Sequence, residues 1–117
     1  DRVLDAMLAG GVAAAVAALS DVRPDVLHGE IQALLAAHPH IRDPRLTALK
    51  AHDAEHATEF TASVLAWLDA LGDVRAAAAA LHIHPNTLRY RIRRSAELTG
   101  LDWADPTTRL LARLLLR

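Results

Sequence analysis

Cysteine is absent from the 117-residue chain, which excludes disulfides and thiolate metal sites and is compatible with a cytosolic protein. Aromatic residues are scarce: two Trp, one Tyr and one Phe are too scattered to form a stacking platform for single strands. β-Branched residues are sparse and few runs alternate with period two, so little argues for strands. The longest uncharged apolar run, Ala6 to Leu19, falls short of the roughly 20 residues a membrane span requires, and Gly10 and Gly11 interrupt it. No signal peptide, nucleophile–base pair, Gly-rich phosphate loop or paired-carboxylate site is visible, and this argues against an enzyme. The chain opens at Asp1 without methionine and enters directly into helical pattern, so it is expected to be a fragment of a longer protein.

What is present is alanine and leucine. They supply most of the 52% hydrophobic fraction, and small side chains favour thin, closely packed helices over a β core. The expected class is all-α, a multi-helix bundle of one domain or one domain plus a piece of another. Asp1 to Leu8 reads as a helix end closed by Gly10-Gly11, while Val12 to Val22 suits either helix or a short extended stretch. Pro24 starts a helix with Leu27, Ile31, Leu34 and Leu35 in a stripe, stopping near His38-Pro39. Asp43-Pro44 pairs an N-cap with a first-turn proline and starts a short helix through Lys50, with Asp53 a candidate break. From about Ala54 to Leu71 a longer helix carries Phe60, Val64, Trp67 or Leu68, and Leu71 on one side, with Gly72 as the C′ residue. Asp73 caps a helix from Val74 to Leu81, His82-Ile83-His84 turns, and Pro85 begins a helix to about Thr99, closed by Gly100. Asp105-Pro106 repeats the cap-plus-proline start, and Leu110, Leu111, Leu114 and Leu115 line the last helix.

Residues 72–94 carry the functional signal. Arg75, Arg89, Arg91, Arg93 and Arg94 face a single acid, Asp73, so this segment is formally +4 in a chain of net charge −1. Positive charge gathered in this way points to a polyanionic partner. The methyl side chains of Ala76 to Ala80 let a second helix approach closely, and Leu81, Ile83, Leu88 and Ile92 form an apolar hinge. This is the order of parts in a helix-turn-helix, which places its second helix in the DNA major groove. Leu88 and Ile92, at i and i+4, mark the buried side. Asn86, Tyr90 and Arg93 then project roughly opposite, flanked by Thr87 and Arg94 on one side and Arg89 on the other. Arginine pairs bidentately with guanine O6 and N7, Asn with adenine, and Thr with phosphate or a thymine methyl. Arg91 points nearer the buried edge, where a phosphate contact, an internal salt bridge and base readout are all open. Arg75, at the start of the first helix, is a candidate phosphate clamp or a plain surface charge.

The words Gly72-Asp73-Val74, the Ala run, His84-Pro85-Asn86-Thr87-Leu88-Arg89-Tyr90-Arg91-Ile92-Arg93-Arg94 and Thr99-Gly100-Leu101-Asp102 resemble the C-terminal helix-turn-helix of the PucR/CdaR group of bacterial transcriptional regulators. The likeness extends upstream through His52-Asp53 and Trp67-Leu68 and downstream to Asp105-Pro106 and Arg109. The same register is similar to the DNA-binding half of the factor for inversion stimulation, where Thr87 and Arg89 fall at DNA-contacting positions. His84-Pro85 stand where that protein carries polar and basic residues, so no contact is carried over to them. The resemblance implies a cytoplasmic regulator that binds double-stranded DNA as a homodimer on an inverted repeat, without cofactor. It also implies upstream domains, where any small-molecule effector would bind. Residues 1–40 would then be the tail of a preceding, GGDEF-like regulatory region or an N-terminal helical extension, and residues 41–117 the helix-turn-helix domain. The apolar stripes of the Phe60–Leu71 helix and of the last helix are either core or dimer seam.

Seven histidines invite a metal reading. His52 and His56 stand at i and i+4, but Asp53 occupies the place where a zincin has Glu, and no third ligand is evident. His52-Asp53 is also similar to HD-type phosphohydrolases, whose further His and Asp ligands are not recognisable. His82 or His84 near DNA would bind phosphate more tightly in the protonated form. The expected function is sequence-specific binding of double-stranded DNA through Arg75, Asn86, Thr87, Arg89, Tyr90, Arg91, Arg93 and Arg94. The alternatives are an all-α protein-interaction module whose basic helix docks an acidic protein surface, and a metal-dependent hydrolase built on His52, Asp53 and His56.

Overall fold

The computed structural model describes residues 23–117, so the expectations for Asp1 to Val22 lie outside the described residues. The described residues hold six helices and no strand, an all-α fold. The chain divides into two units, the first ending at Pro39 and the second running His40–Arg117.

In the first unit, α1 (Pro24–Ala37) starts where proline's fixed φ and missing N–H suit the first helical position. Leu27, Ile31 and Leu35 are half-buried along it. Leu34, expected on the same stripe, is exposed.

The second unit is built from α2 (Pro44–His56), α3 (Phe60–Asp69), α4 (Val74–Leu81), α5 (Pro85–Thr99) and α6 (Pro106–Leu115). Three of these begin on an aspartate cap. Asp43 accepts from the Arg45 amide, Asp73 from the Ala76 amide, and Asp105 from the Thr107 and Thr108 amides and the Thr108 hydroxyl. Each satisfies N–H groups that a helix start leaves orphaned, a contribution of about 1 kcal/mol per cap. Arg45 also clamps the Asp43 carboxylate with two guanidinium hydrogen bonds, at 3.1 and 2.8 Å. That clamp holds the Asp43 carboxyl below its ordinary range.

The helix expected over 54–71 is two helices. Asp53 does not break α2, which continues to His56; the chain turns instead at Ala57, in the left-handed region at φ 54°. Asp53 organises this turn from inside α2. Its carboxylate accepts from the Thr58 hydroxyl and from the Phe60 and Thr61 amides, the first N–H groups of α3. His52 Nδ1 lies 3.1 Å from Thr58 Oγ1; the hydroxyl proton goes to Asp53, so the ring donates. The His52 ring also stacks on Phe60. The His-Asp pair that suggested metal chemistry is thus engaged in a helix-to-helix corner, and no cluster of three His, Asp or Glu side chains forms among the described residues.

α3 touches every other helix of its unit, α2, α4, α5 and α6. Phe60, Val64 and Leu68 enter the main core beside Leu46, Leu49, Leu101, Trp103, Ala112 and Leu116. Trp67 and Ile92 pack against this core and also against the smaller cluster of Ala77, Ala78 and Leu88. Those two side chains therefore tie the α4–α5 unit to the scaffold. At the far end of α3 the Gly72 amide reaches back to the Trp67 carbonyl and the Leu71 amide to Leu68. This makes Leu71, not Gly72, the C′ residue of a Schellman turn. Leu71 takes φ 55° and is 91% exposed, contrary to its expected place on the apolar stripe.

Candidate nucleic-acid interface

The segment 73–99 folds as two helices meeting at a tight turn. α4 presents Ala77 and Ala78 to α5, both essentially inaccessible, and Leu88 of α5 fills the gap between them. With methyl groups on one side, the helices approach closely enough for one leucine to close the interface. The turn is a second Schellman closure: the Ile83 amide bonds to the Ala78 carbonyl and the His82 amide to Ala79. His82 takes the left-handed position at φ 56°, which usually falls to glycine. Ile83 then packs on the Ala77–Ala78–Leu88 cluster, fixing the exit of the turn.

α5 starts on a cap that sequence preference does not flag. His84 Nδ1 accepts from the Asn86 amide at 3.0 Å, and Pro85 takes the first helical position. A backbone N–H only donates, so this Nδ1 carries no proton and the ring is the Nε2–H tautomer. With Nδ1 taken by the cap, Nε2 is the ring nitrogen of His84 left for a phosphate; His82, the other histidine considered, is exposed at the turn.

The faces of α5 separate as the helical period requires. Leu88 and Ser95 are buried and Ile92 is half-buried. Ser95 Oγ donates to the Ile92 carbonyl and accepts from the Trp103 indole N–H, so the buried hydroxyl is satisfied on both counts. Asn86, Thr87, Arg89, Tyr90 and Arg93 are exposed on the other side, Arg94 is partly so, and Arg75 is exposed at the start of α4. Arg93 lies over the Tyr90 ring, 5.8 Å from its centre. Arg89 donates to Asn86 Oδ1 at 2.8 Å.

Arg91 behaves differently. Its guanidinium turns back to the scaffold, donating to Ser63 Oγ of α3 at 3.1 Å and standing 3.8 Å from the Glu59 carboxylate. Its side chain is 23% exposed, against 65% for Arg93. The internal tie, one of the three alternatives for this residue, is the geometry observed.

Glu97 was missed among the sequence candidates. It lies one turn beyond Arg93 and Arg94, 3.7 Å from the first and 3.3 Å from the second. The signal was available, since an acid three and four residues beyond two arginines on an exposed face is a standard helical pairing. These pairs are solvent-exposed and weak, well under about 1 kcal/mol each, so a phosphate can displace the carboxylate. The exposed face therefore combines one amide, two hydroxyl-bearing side chains and three guanidinium groups on a helix whose opposite side is locked into the core.

Residues 60–117 match the family of the PucR C-terminal helix-turn-helix domain. An uncharacterized protein of Mycobacterium tuberculosis and one of Mycobacterium bovis are each 32% identical over 80 residues, 68% of this chain and 17% of theirs. The proline-responsive transcriptional activator PutR of Bacillus subtilis is 41% identical over 64 residues, 55% of this chain and 16% of that protein. The chain thus spans about one sixth of the length of these relatives. No solved structure matches it.

Proposed function

Since residues 60–117 belong to the PucR C-terminal helix-turn-helix family, we propose that this chain is the DNA-binding part of a bacterial transcription regulator and that it binds double-stranded DNA sequence-specifically. It acts by binding, without catalysis or cofactor. In this reading α5 enters the major groove, with Arg89, Asn86 and Tyr90 toward base edges. Thr87, Arg93, Arg94 and Arg75 meet the phosphates, and Arg91 sets the angle of α5 on α3. The observation that carries the reading is the two-sidedness of α5: Leu88 and Ser95 buried, and Asn86, Arg89, Tyr90 and Arg93 presented together on the other side.

The regulator works in the cytoplasm as a homodimer on an inverted repeat, with residues 1–40 leading from a preceding regulatory region that binds any effector. Of the two apolar stripes considered for a dimer seam, that of α3 is used up by the domain's own core. The stripe of α6 leaves Leu110, 58% exposed, on its outer side.

Titration of duplexes selected from a random-sequence pool, at two salt concentrations, tests the proposal. An Arg89/Arg93/Arg94 triple alanine variant should lose most of its affinity, and the slope of log K against log salt should fall by about one unit for each phosphate contact removed. Unchanged duplex affinity in that variant would refute the proposal. Salt-sensitive binding to an acidic protein surface, with no discrimination among duplexes, would favour the interaction-module alternative.

A further inference from the structure

Two polar side chains on the presented face of α5 are not independent. Arg89 Nη1 donates to Asn86 Oδ1 at 2.8 Å, across one helical turn, and both residues are exposed. Asparagine reads adenine by accepting from N6–H through Oδ1 while donating to N7 through Nδ2. In this structure one of the two lone pairs of Oδ1 already holds a guanidinium proton in a charge-assisted bond, which ties the amide to Arg89 and leaves a single acceptor site for an adenine N6–H. Arginine has five N–H donors and spends one here. The Nε and Nη2 donors stay uncommitted by this contact, and they form an edge that pairs with guanine O6 and N7.

The geometry points to Asn86 as a positioning residue, which holds Arg89 in the orientation that reads guanine and does not itself read adenine. This rests on the proposal that α5 enters the major groove, and it names the base that this groove site selects. A long arginine loses several rotamers when it docks on a base; a partner that holds it beforehand removes part of that loss, as preorganisation does elsewhere. Asn86 suits the task because its neutral oxygen accepts from the guanidinium without neutralising the charge that attracts DNA. A carboxylate at the same position would hold Arg89 more tightly and repel phosphate.

A double-mutant cycle tests the inference. The 117-residue chain and its Asn86→Ala, Arg89→Ala and doubly substituted variants are each titrated against duplexes drawn from a random pool by the parent chain. The base pair at which Arg89→Ala loses preference is varied through all four identities. The parent should prefer guanine there by about 5- to 150-fold, the range of one bidentate pair. Asn86→Ala should cut that preference by about 3- to 10-fold at the same base pair, and should have no further effect once Arg89 is gone. Asn86→Ala leaves the His84 cap intact, because that bond uses the backbone amide; unchanged far-UV circular dichroism checks this. Additive losses, or a lost adenine preference at a different base pair in Asn86→Ala, would overturn the inference while leaving the DNA-binding proposal in place. Failure of the parent chain to enrich any duplex would overturn both.

Discussion

Replacing Arg91 by Met separates a structural arginine from its interfacial neighbours on the same helix. Met keeps an unbranched apolar stem reaching about as far as the arginine Nε and lacks the guanidinium. The charge-assisted bond to Ser63 Oγ is lost, at 3.1 Å and on a largely covered side chain; bonds of this kind contribute about 1.5–3 kcal/mol. The Glu59 partner is exposed and adds little, under about 0.5 kcal/mol. Ser63 Oγ keeps its own donation to the Glu59 carbonyl, so no buried polar atom is orphaned, and the lower half of the range applies. The expected loss is about 1.5–2 kcal/mol, read as a lower denaturation midpoint with unchanged slope in urea. Arg93→Met, on the exposed side, should change stability by less than about 0.5 kcal/mol and flatten the salt dependence of duplex binding by about one unit. The reverse pattern, with Arg91→Met stable but flattened in salt response, would refute the assignment of Arg91 to the α3–α5 contact.

Asp53→Ala deprives the Phe60 and Thr61 amides and the Thr58 hydroxyl of their acceptor; the cost should be about 2–3 kcal/mol by thermal or urea unfolding, with Asp53→Asn losing less, and equal stability of parent and alanine variant would contradict the corner described. Burial, the largest influence, pushes the Asp53 carboxyl up, yet the Thr58 hydroxyl and the Thr61 and Phe60 amides together hold it below its ordinary value. The Thr58-like hydroxyl of Thr108 does the same for Asp105, and Arg45 for Asp43. A carboxyl depressed in the folded state contributes stability above its unfolded value of about 3.9 and loses it as pH falls through the folded value. Stability should therefore hold down to about pH 4 and drop below it, with a shallower drop in Asp53→Asn; an identical acid limb in that variant would count against the Asp53 assignment. Leu71→Gly should raise stability by about 0.5–1 kcal/mol by relieving a left-handed residue, since the lost side chain is almost wholly solvent-exposed; a clear destabilisation would show that Leu71 makes a contact elsewhere.

Helix starts were legible wherever the signal is local. Asp43-Pro44, Asp73 and Asp105-Pro106 each place a cap and a start within two residues, and each forms as expected. The turn between α2 and α3 was not legible, because Ala57 is no turn residue by type. It is held by Asp53, whose amide partners lie seven and eight positions ahead, a tertiary effect in miniature. The end of α3 was misplaced by one residue because the left-handed backbone begins at Leu71, one position ahead of Gly72, which is left-handed as well. The two faces of α5 followed from helical spacing alone, with Leu88 and Ile92 defining the inside. Periodicity also placed Arg91 near the edge, but which way a flexible guanidinium swings from an edge depends on Ser63, 28 residues earlier, and no spacing rule reaches that far. The His84 cap escaped for a different reason: imidazole is a poor statistical cap, and only the folded turn brings Nδ1 to the Asn86 amide.

The most direct test of the account is an amide and arginine-Nε NMR titration of the chain with a duplex enriched from a random pool. Shift changes should gather on Arg75, on residues 82–90 and on Arg93 and Arg94, while the Arg91 side chain and the core around Leu49 and Val64 stay fixed. Changes centred on α2 or α6 with α5 silent, or no changes at all, would contradict it.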